Sequence, residues 1–240
     1  MLLEFKKSIS NKIILTLGIL FIFVFLLGYF LPVGIDKVSN LTYGQYFFST
    51  YTVATEFGFL LFSFIIAYFI NKEYSNKNTL FYKLLGDNVF KFFYKKAAIL
   101  FIESFVFLTI GLTIISVVFS NFSHFLLLLT LFSLVLLQYI LIIGTISVLS
   151  PNVLISIGIS IIYWIGSIIL VAVNKTIFGI IAPFEASNSI YPLVEQVLNG
   201  NKAFLPANQI LTIFIFFLIL FVVNFMLLIF AKKRWLKLGL

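Results

Sequence analysis

The chain has no cysteine and a single histidine in 240 residues. Without Cys there is no disulfide framework, and one His allows neither an H-E-x-x-H zinc site nor a Cys/His nucleophile pair. Charged residues make up only 10% of the chain, which excludes a disordered polyelectrolyte and a conventional nucleic-acid binder. No G-x-x-x-x-G-K-[ST] loop is present, so the chain binds no ATP in that manner. The sequence therefore predicts no enzyme, no catalytic residue, and no metal or cofactor held by this chain. What is abundant is apolar side chain, at 62%, against the roughly 45–50% of an ordinary soluble domain. A water-soluble fold of this size lacks the interior to hide so much, so its main solvent is lipid.

Six apolar stretches are long enough to cross a hydrocarbon core of about 30 Å at about 1.5 Å per residue: residues 13–31, 47–70, 97–119, 124–149, 153–173 and 209–231. Lipid offers backbone groups no hydrogen-bond partner, and these stretches lack period-two alternation, so helices are expected rather than barrel strands. The predicted fold is all-α, six transmembrane helices forming one domain over residues 1–240. The first stretch reads as a span, not a removable signal peptide, because Leu31-Pro32 lacks the small-x-small cleavage pattern.

Charge is distributed unevenly. Thirteen of the sixteen Lys and Arg lie in the N-terminal segment (Lys6, Lys7, Lys12), in the loop after the second span (Lys72, Lys77, Lys83, Lys91, Lys95, Lys96) or in the tail (Lys232, Lys233, Arg234, Lys237). With Glu4, Glu73 and Asp87 that side is net +10. On the other side Lys37, Lys175 and Lys202 are balanced by Asp36, Glu185 and Glu195. The positive-inside rule places both termini in the cytoplasm of a cell-membrane protein.

Two loops are too long for simple connections. Residues 71–96 predict a short helix, capped by Asn78 or Thr79, with Phe81, Leu84 and Leu85 on one face at i, i+3, i+4 and Tyr82 and Lys83 elsewhere on its surface. Gly86-Asp87-Asn88 ends it. Such a helix serves either as an interfacial anchor or as a docking knob for a cytosolic partner. Leu2, Phe5 and Ile9 likewise define an amphipathic N-terminal helix. The segment 174–208 holds an apolar run, 177–184, too short to cross a membrane, followed by the helix-compatible 191–198. Together they predict a re-entrant or interface-lying helical pair on the extracellular face. Residues 150–152 and 120–123 are short turns between spans.

Polar groups inside the spans are costly, at least ~2.5 kcal/mol for an ionised Asp or base on insertion scales. Glu56 sits about 13 Å along its span at ~1.5 Å per residue and shares a face with Ser49, Thr52 and Ser63. It reads as a pathway or gating residue, whereas Glu103 is expected to reach Lys95 or Lys96 at the basic boundary. Gln138 and Asn224 interrupt spans four and six, and Ser156, Ser160, Tyr163 and Ser167 form a stripe along the fifth. Glu56, Thr52, Ser63, Ser160, Tyr163 and Asn224 are the candidate pathway residues. Phe57, Phe59, Phe62 and Phe64 supply aromatic walls suited to an amphipathic substrate.

Asn71-Lys72-Glu73-Tyr74, followed by Thr79 and Tyr82-Lys83-Leu84-Leu85-Gly86, is similar to the E-[FY]-x-x-G-T-x-x-x-L-L segment of ABC transporter permease subunits of the type-2 exporter class. It departs in having Lys77-Asn78 where a Gly precedes the Thr. The six-span layout resembles that class throughout, and most of all the small bacterial permeases that export peptides, including antimicrobial peptides. The resemblance implies that Glu73, Tyr74, Thr79, Phe81, Leu84, Leu85 and Gly86 form a coupling helix docked on a separate cytosolic ATPase, which uses ATP and Mg. It also implies pairing as a homodimer or with a paralogous permease, and export of a peptide or amphipathic substrate. Self-immunity by toxin efflux, and a non-transport membrane anchor for a cytosolic complex, are the alternatives.

Overall fold

The structure is a computed structural model that describes residues 1–75, 79–200 and 204–237, and every regular element among them is a helix. A short helix, α1 (Leu2–Ser10), turns at Lys12, which adopts a left-handed φ of 58°, into α2 (Ile13–Gly34). α2 continues through Pro32, three residues beyond the apolar stretch, and closes on Leu31 O with the amide of Ile35.

The second apolar stretch is not one straight span, as the sequence predicts, but two helices. α3 (Tyr43–Glu56) and α4 (Gly58–Ser75) meet at a 52° bend around Phe57. The physical cause is local. Thr50, Thr52 and Thr55 each turn their hydroxyl back to the carbonyl four residues earlier, a habit that weakens and bends helices. The phenol of Tyr139 then donates to the carbonyls of Ala54 (2.7 Å) and Thr55 (3.4 Å), giving the interrupted backbone a partner that lipid cannot supply. A Cβ on Gly58 would lie 3.1 Å from the same ring, so the absence of a side chain there lets Tyr139 in. The break severs Ser63 from the face shared by Glu56 and Thr52.

After α5 (Thr79–Leu84) comes α6 (Val89–Val118), which starts eight residues before the predicted span because the Asn88 side chain caps the Lys91 amide. α7 (Phe125–Leu149) and α8 (Val153–Val173) form the tight hairpin expected, with Asn152 capping α8. The outer segment is less regular than a helical pair. α9 (Lys175–Phe178) is a single turn, and irregular backbone then leads to α10 (Ile190–Leu198). α11 (Ala207–Lys237) completes the chain.

Five helices are long and apolar enough to cross a membrane, and the bent α3–α4 pair passes the same test when taken together, which gives five or six candidate crossings among the described residues. α7 is the most buried of them and packs on α3, α4, α6, α8 and α11, whereas α8 is the least buried. Large apolar side chains such as Ile22, Ile114, Ile162 and Phe214 point outward around the bundle. A soluble monomer exposes no such girdle.

Candidate functional site

One end of the bundle gathers α1, the end of α4, α5, the start of α6 and Trp235 of α11, whose ring lies 5.2 Å from Phe92. At its centre Lys96, only 1% exposed, pairs with Glu4 at 3.1 Å and lies 3.9 Å from Glu73. Lys7 pairs with Glu73 at 2.9 Å. Tyr82 of α5 donates to Glu4 (2.7 Å) and accepts from Lys7 (3.0 Å), with its ring edge-on to Phe92 at 4.9 Å. Two acids and two lysines thus balance in a buried cluster, and Lys96 also donates to Phe69 O at 2.9 Å and stands 3.9 Å over the Phe69 ring. Burial and the adjacent Glu4 carboxylate push the Tyr82 phenol well above its ordinary value of 10.0.

The cluster fastens α5 by one side chain and leaves the rest outward. Tyr82 is fully buried, while Phe81 and Leu85 are exposed and Leu84 is 80% exposed. The helix ends in a Schellman motif: Asp87 N–H bonds to Tyr82 O, Gly86 N–H to Lys83 O, and Gly86 takes the left-handed φ of 75° that the motif requires. Asp87 then pairs with Lys95 at 2.7 Å. The helix terminus therefore has both backbone and side-chain restraints. Of the predicted docking residues, Glu73 lies in the cluster and Phe81, Leu84 and Leu85 share the outward face. The side chains of Tyr74 and Thr79, and the Asn78 cap, lie outside the described residues.

Glu103 departs from expectation. Its carboxylate accepts from Ser8 of α1 at 2.7 Å, because Lys95 is taken by Asp87, and Lys96 by Glu4 and Glu73. α1 thus turns its polar Glu4 and Ser8 inward and its apolar Leu2, Phe5 and Ile9 outward.

Of the remaining polar span residues, Asn71, Tyr163 and Asn224 join helices, while Ser160 and Ser63 bond within their own. Asn71, fully buried at the end of α4, donates to the carbonyls of Ser147 (2.8 Å) and Ser150 (2.9 Å), clamping the α7–α8 hairpin. Ser160 is buried and donates to Ser156 O, Ser63 donates to Leu60 O, and Tyr163 stacks on Phe59 at 5.9 Å. Asn224 accepts from Tyr94 (2.8 Å) and donates to Thr145, bridging α11 to α6 and α7. Of the aromatic walls, Phe59 and Phe62 are buried whereas Phe57 and Phe64 face outward.

At the opposite end, Glu56 accepts from the Ala186 amide at 3.2 Å, and Thr52 is hydrogen-bonded to the Tyr191 hydroxyl. The broken span is thereby joined to both parts of the outer segment. Beside it a 480 Å3 pocket opens between α2, α3 and α10, lined by Asp36, Gln45, Thr52 and Glu195 among others. Of the pathway candidates, the structure brings Glu56 and Thr52 to this end, turns Ser63 and Ser160 to carbonyls of their own helices, and leaves Tyr163 and Asn224 in helix–helix contacts. Tyr139 was not singled out by the sequence, Asn71 figured only in the segment that carries the resemblance, and Tyr82, expected on the surface of its helix, is instead buried beneath it. Their signal, a polar tip on a body at apolar depth, is also carried by many residues that bind nothing. Among the described residues no group of three or more His, Asp or Glu is placed to hold a metal ion.

A bundle with an apolar girdle, five or six candidate spans and polar contacts at both ends is that of a multi-pass membrane protein. The family model described as the peptide export permease protein YydJ family matches residues 1–240, and the chain belongs to that family. It is 62% identical over 240 residues to a Bacillus subtilis (strain 168) protein named "Probable peptide export permease protein YydJ", covering all of both chains. No solved structure matches. The fold and family together make it a transport permease.

Proposed function

We propose that this chain is the membrane-spanning subunit of an ATP-driven exporter of the ABC type, with α5 as the surface on which a separate ATPase docks. The observation that carries the reading is the division of labour within α5: Tyr82 anchors it in a buried ionic cluster while Phe81, Leu84 and Leu85 stand free as an apolar face. A rigidly seated knob transmits a push, whereas a mobile loop dissipates it. Through Glu73, Glu4 and Lys96 the push reaches α4, α1 and α6 as one body, the kind of rigid-body input that switches a bundle between discrete states. ATP and Mg belong to the partner, and this chain performs no hydrolysis itself.

The surplus of Lys around α1, α5 and the C-terminus supports a cytoplasmic location for both ends. The pocket bounded by Asp36 and Glu195 then opens outward, and its polar rim beside apolar Leu31 and Phe48 suits the exit of an amphipathic peptide. The relative's name supports a peptide cargo. Pairing with a second copy or a paralogous permease completes the pathway. Self-immunity uses the same scaffold and is separated from export by whether a peptide accumulates in cells lacking the chain.

The test is co-purification from native membranes. Tagged wild-type chain is expected to bring down ATP-hydrolysing activity, and the L84D/L85D variant to lose it while remaining membrane-inserted. A wild-type preparation without associated ATPase, or retention by the variant, overturns the reading.

A further inference from the structure

The 52° break in the second span is held open by one hydroxyl. In an unbroken helix the amides of Gly58 and Phe59 would bond to the carbonyls of Ala54 and Thr55, four residues back. Neither bond is made, although the turn is intact on either side: the Phe57 amide reaches Val53 O and the Leu61 amide reaches Phe57 O, each at 3.0 Å. The two carbonyls are taken instead by the Tyr139 hydroxyl, at 2.7 and 3.4 Å. A side chain inserted into the i to i−4 ladder is one of the few causes of a sharp kink.

The exchange is unequal. Gly58 and Phe59 are buried, and a buried amide without an acceptor carries a cost that native backbones seldom tolerate. One phenol proton serves two carbonyls, whereas a straight helix would satisfy the two carbonyls and the two amides together. The bent form therefore competes with a straight form built from the same residues, and Tyr139 decides between them. Two cavities of 20 Å3 each adjoin its ring, one bounded by Ala54 and Phe62, the other by Thr55 and Phe59, and they give the ring space to shift.

The arms of the break belong to different bodies. α3 is bonded to the outer segment, through Glu56 and the Ala186 amide and through Thr52 and the Tyr191 hydroxyl. α4 is bonded to the α7–α8 hairpin through Asn71.

We propose that the break is a two-state joint, that Tyr139 is the positioning residue that holds it bent, and that release of its hydroxyl lets α3 and the outer segment swing as one body toward the axis of α4. The swing reshapes the 480 Å3 pocket, because Gln45, Phe48 and Thr52 of α3 form one of its walls. The joint is a property of this chain alone; only its use, to carry a push from α5 to the outer end, rests on the docking reading. Failure of the ATPase to co-purify would leave the joint standing.

The experiment uses the full chain in lipid nanodiscs, without ATPase or peptide. Because the chain has no cysteine, spin labels at Q45C and F64C, both exposed positions, report the two arms of the break. Excess unlabelled chain suppresses distances between copies. The distance in Y139F is expected to exceed that in the otherwise native chain by about 3 Å, the difference between a straight helix and one bent by 52° at ~1.5 Å per residue. Amide exchange at Gly58 and Phe59 should slow about tenfold in the same variant, as each gains a net hydrogen bond. Y163F removes a phenol that lines one of the cavities and stacks on Phe59 but bonds to neither carbonyl, and it should leave the distance unchanged. An unchanged distance in Y139F, exchange that does not slow, or an equal lengthening in Y163F overturns the proposal. Should Y139F fail to reconstitute, G58A decides. Its Cβ, 3.1 Å from the Tyr139 ring, crowds the hydroxyl away and favours an unbroken helix, so a lengthening is expected and an unchanged distance overturns the joint.

Discussion

Lys96 Nζ lies 3.1 Å from Glu4 Oε2, so the N-terminal helix is tied to α6 by an ion pair with both partners buried. Removing one member strands the other in a medium that does not solvate it. Lys96→Met is expected to destabilise the detergent-solubilised chain by about 3–5 kcal/mol, read as a lower midpoint of thermal unfolding. Neutralising the stranded acid as well, in E4Q/K96M, should recover part of that loss.

Tyr82 is the neutral member of the same cluster. Its phenol holds its proton more tightly in the folded chain than in the unfolded one. The stability this contributes is complete below the unfolded value near 10.0 and falls as pH rises above it, because only the unfolded state then releases the proton. The thermal midpoint of the wild type should therefore drop more steeply between about pH 10 and 11 than that of Tyr82→Phe. At neutral pH the variant should lose about 1–3 kcal/mol for the two hydrogen bonds.

Gly86 closes α5 at a φ of 75°, and a Cβ built there meets nothing within 4 Å. Any penalty for Gly86→Ala is therefore one of backbone conformation, about 1–2 kcal/mol, with Gly86→Asn milder because Asn tolerates the left-handed region. Amide hydrogen exchange should be faster across residues 80–85 in the alanine variant and unchanged in α7.

Helix existence and most boundaries were legible because apolar length alone dictates them in lipid: α7 and α8 lie where composition puts them. The bend at Phe57 was not legible. It depends on Tyr139, eighty-odd residues away, supplying a donor to the Ala54 and Thr55 carbonyls at the end of a helix whose earlier carbonyls the threonines engage. The outward face of Phe81, Leu84 and Leu85 was readable from spacing, but Tyr82's inward orientation was not. An aromatic between polar neighbours declares no side, and its place is set by Glu4 and Lys7 from a distant part of the chain. Glu185 appeared in the sequence only as loop charge, since nothing local announces that it is buried or that Glu56 meets the neighbouring Ala186 amide.

α1 presents Leu2, Phe5 and Ile9 outward and Glu4 and Ser8 inward. This reverses the polarity of a helix on a soluble protein and suits one whose apolar side lies on a membrane surface. The ionic cluster beneath it keeps Glu4 and Lys96 each 1% exposed, where mobile ions do not follow. Added salt, which screens exposed pairs within about 10 Å at 0.1 M, leaves this fastening intact, while stripping lipid from the N-terminal helix opens it to water. The chain's grip on α5 is thus expected to be insensitive to the ionic strength of the medium.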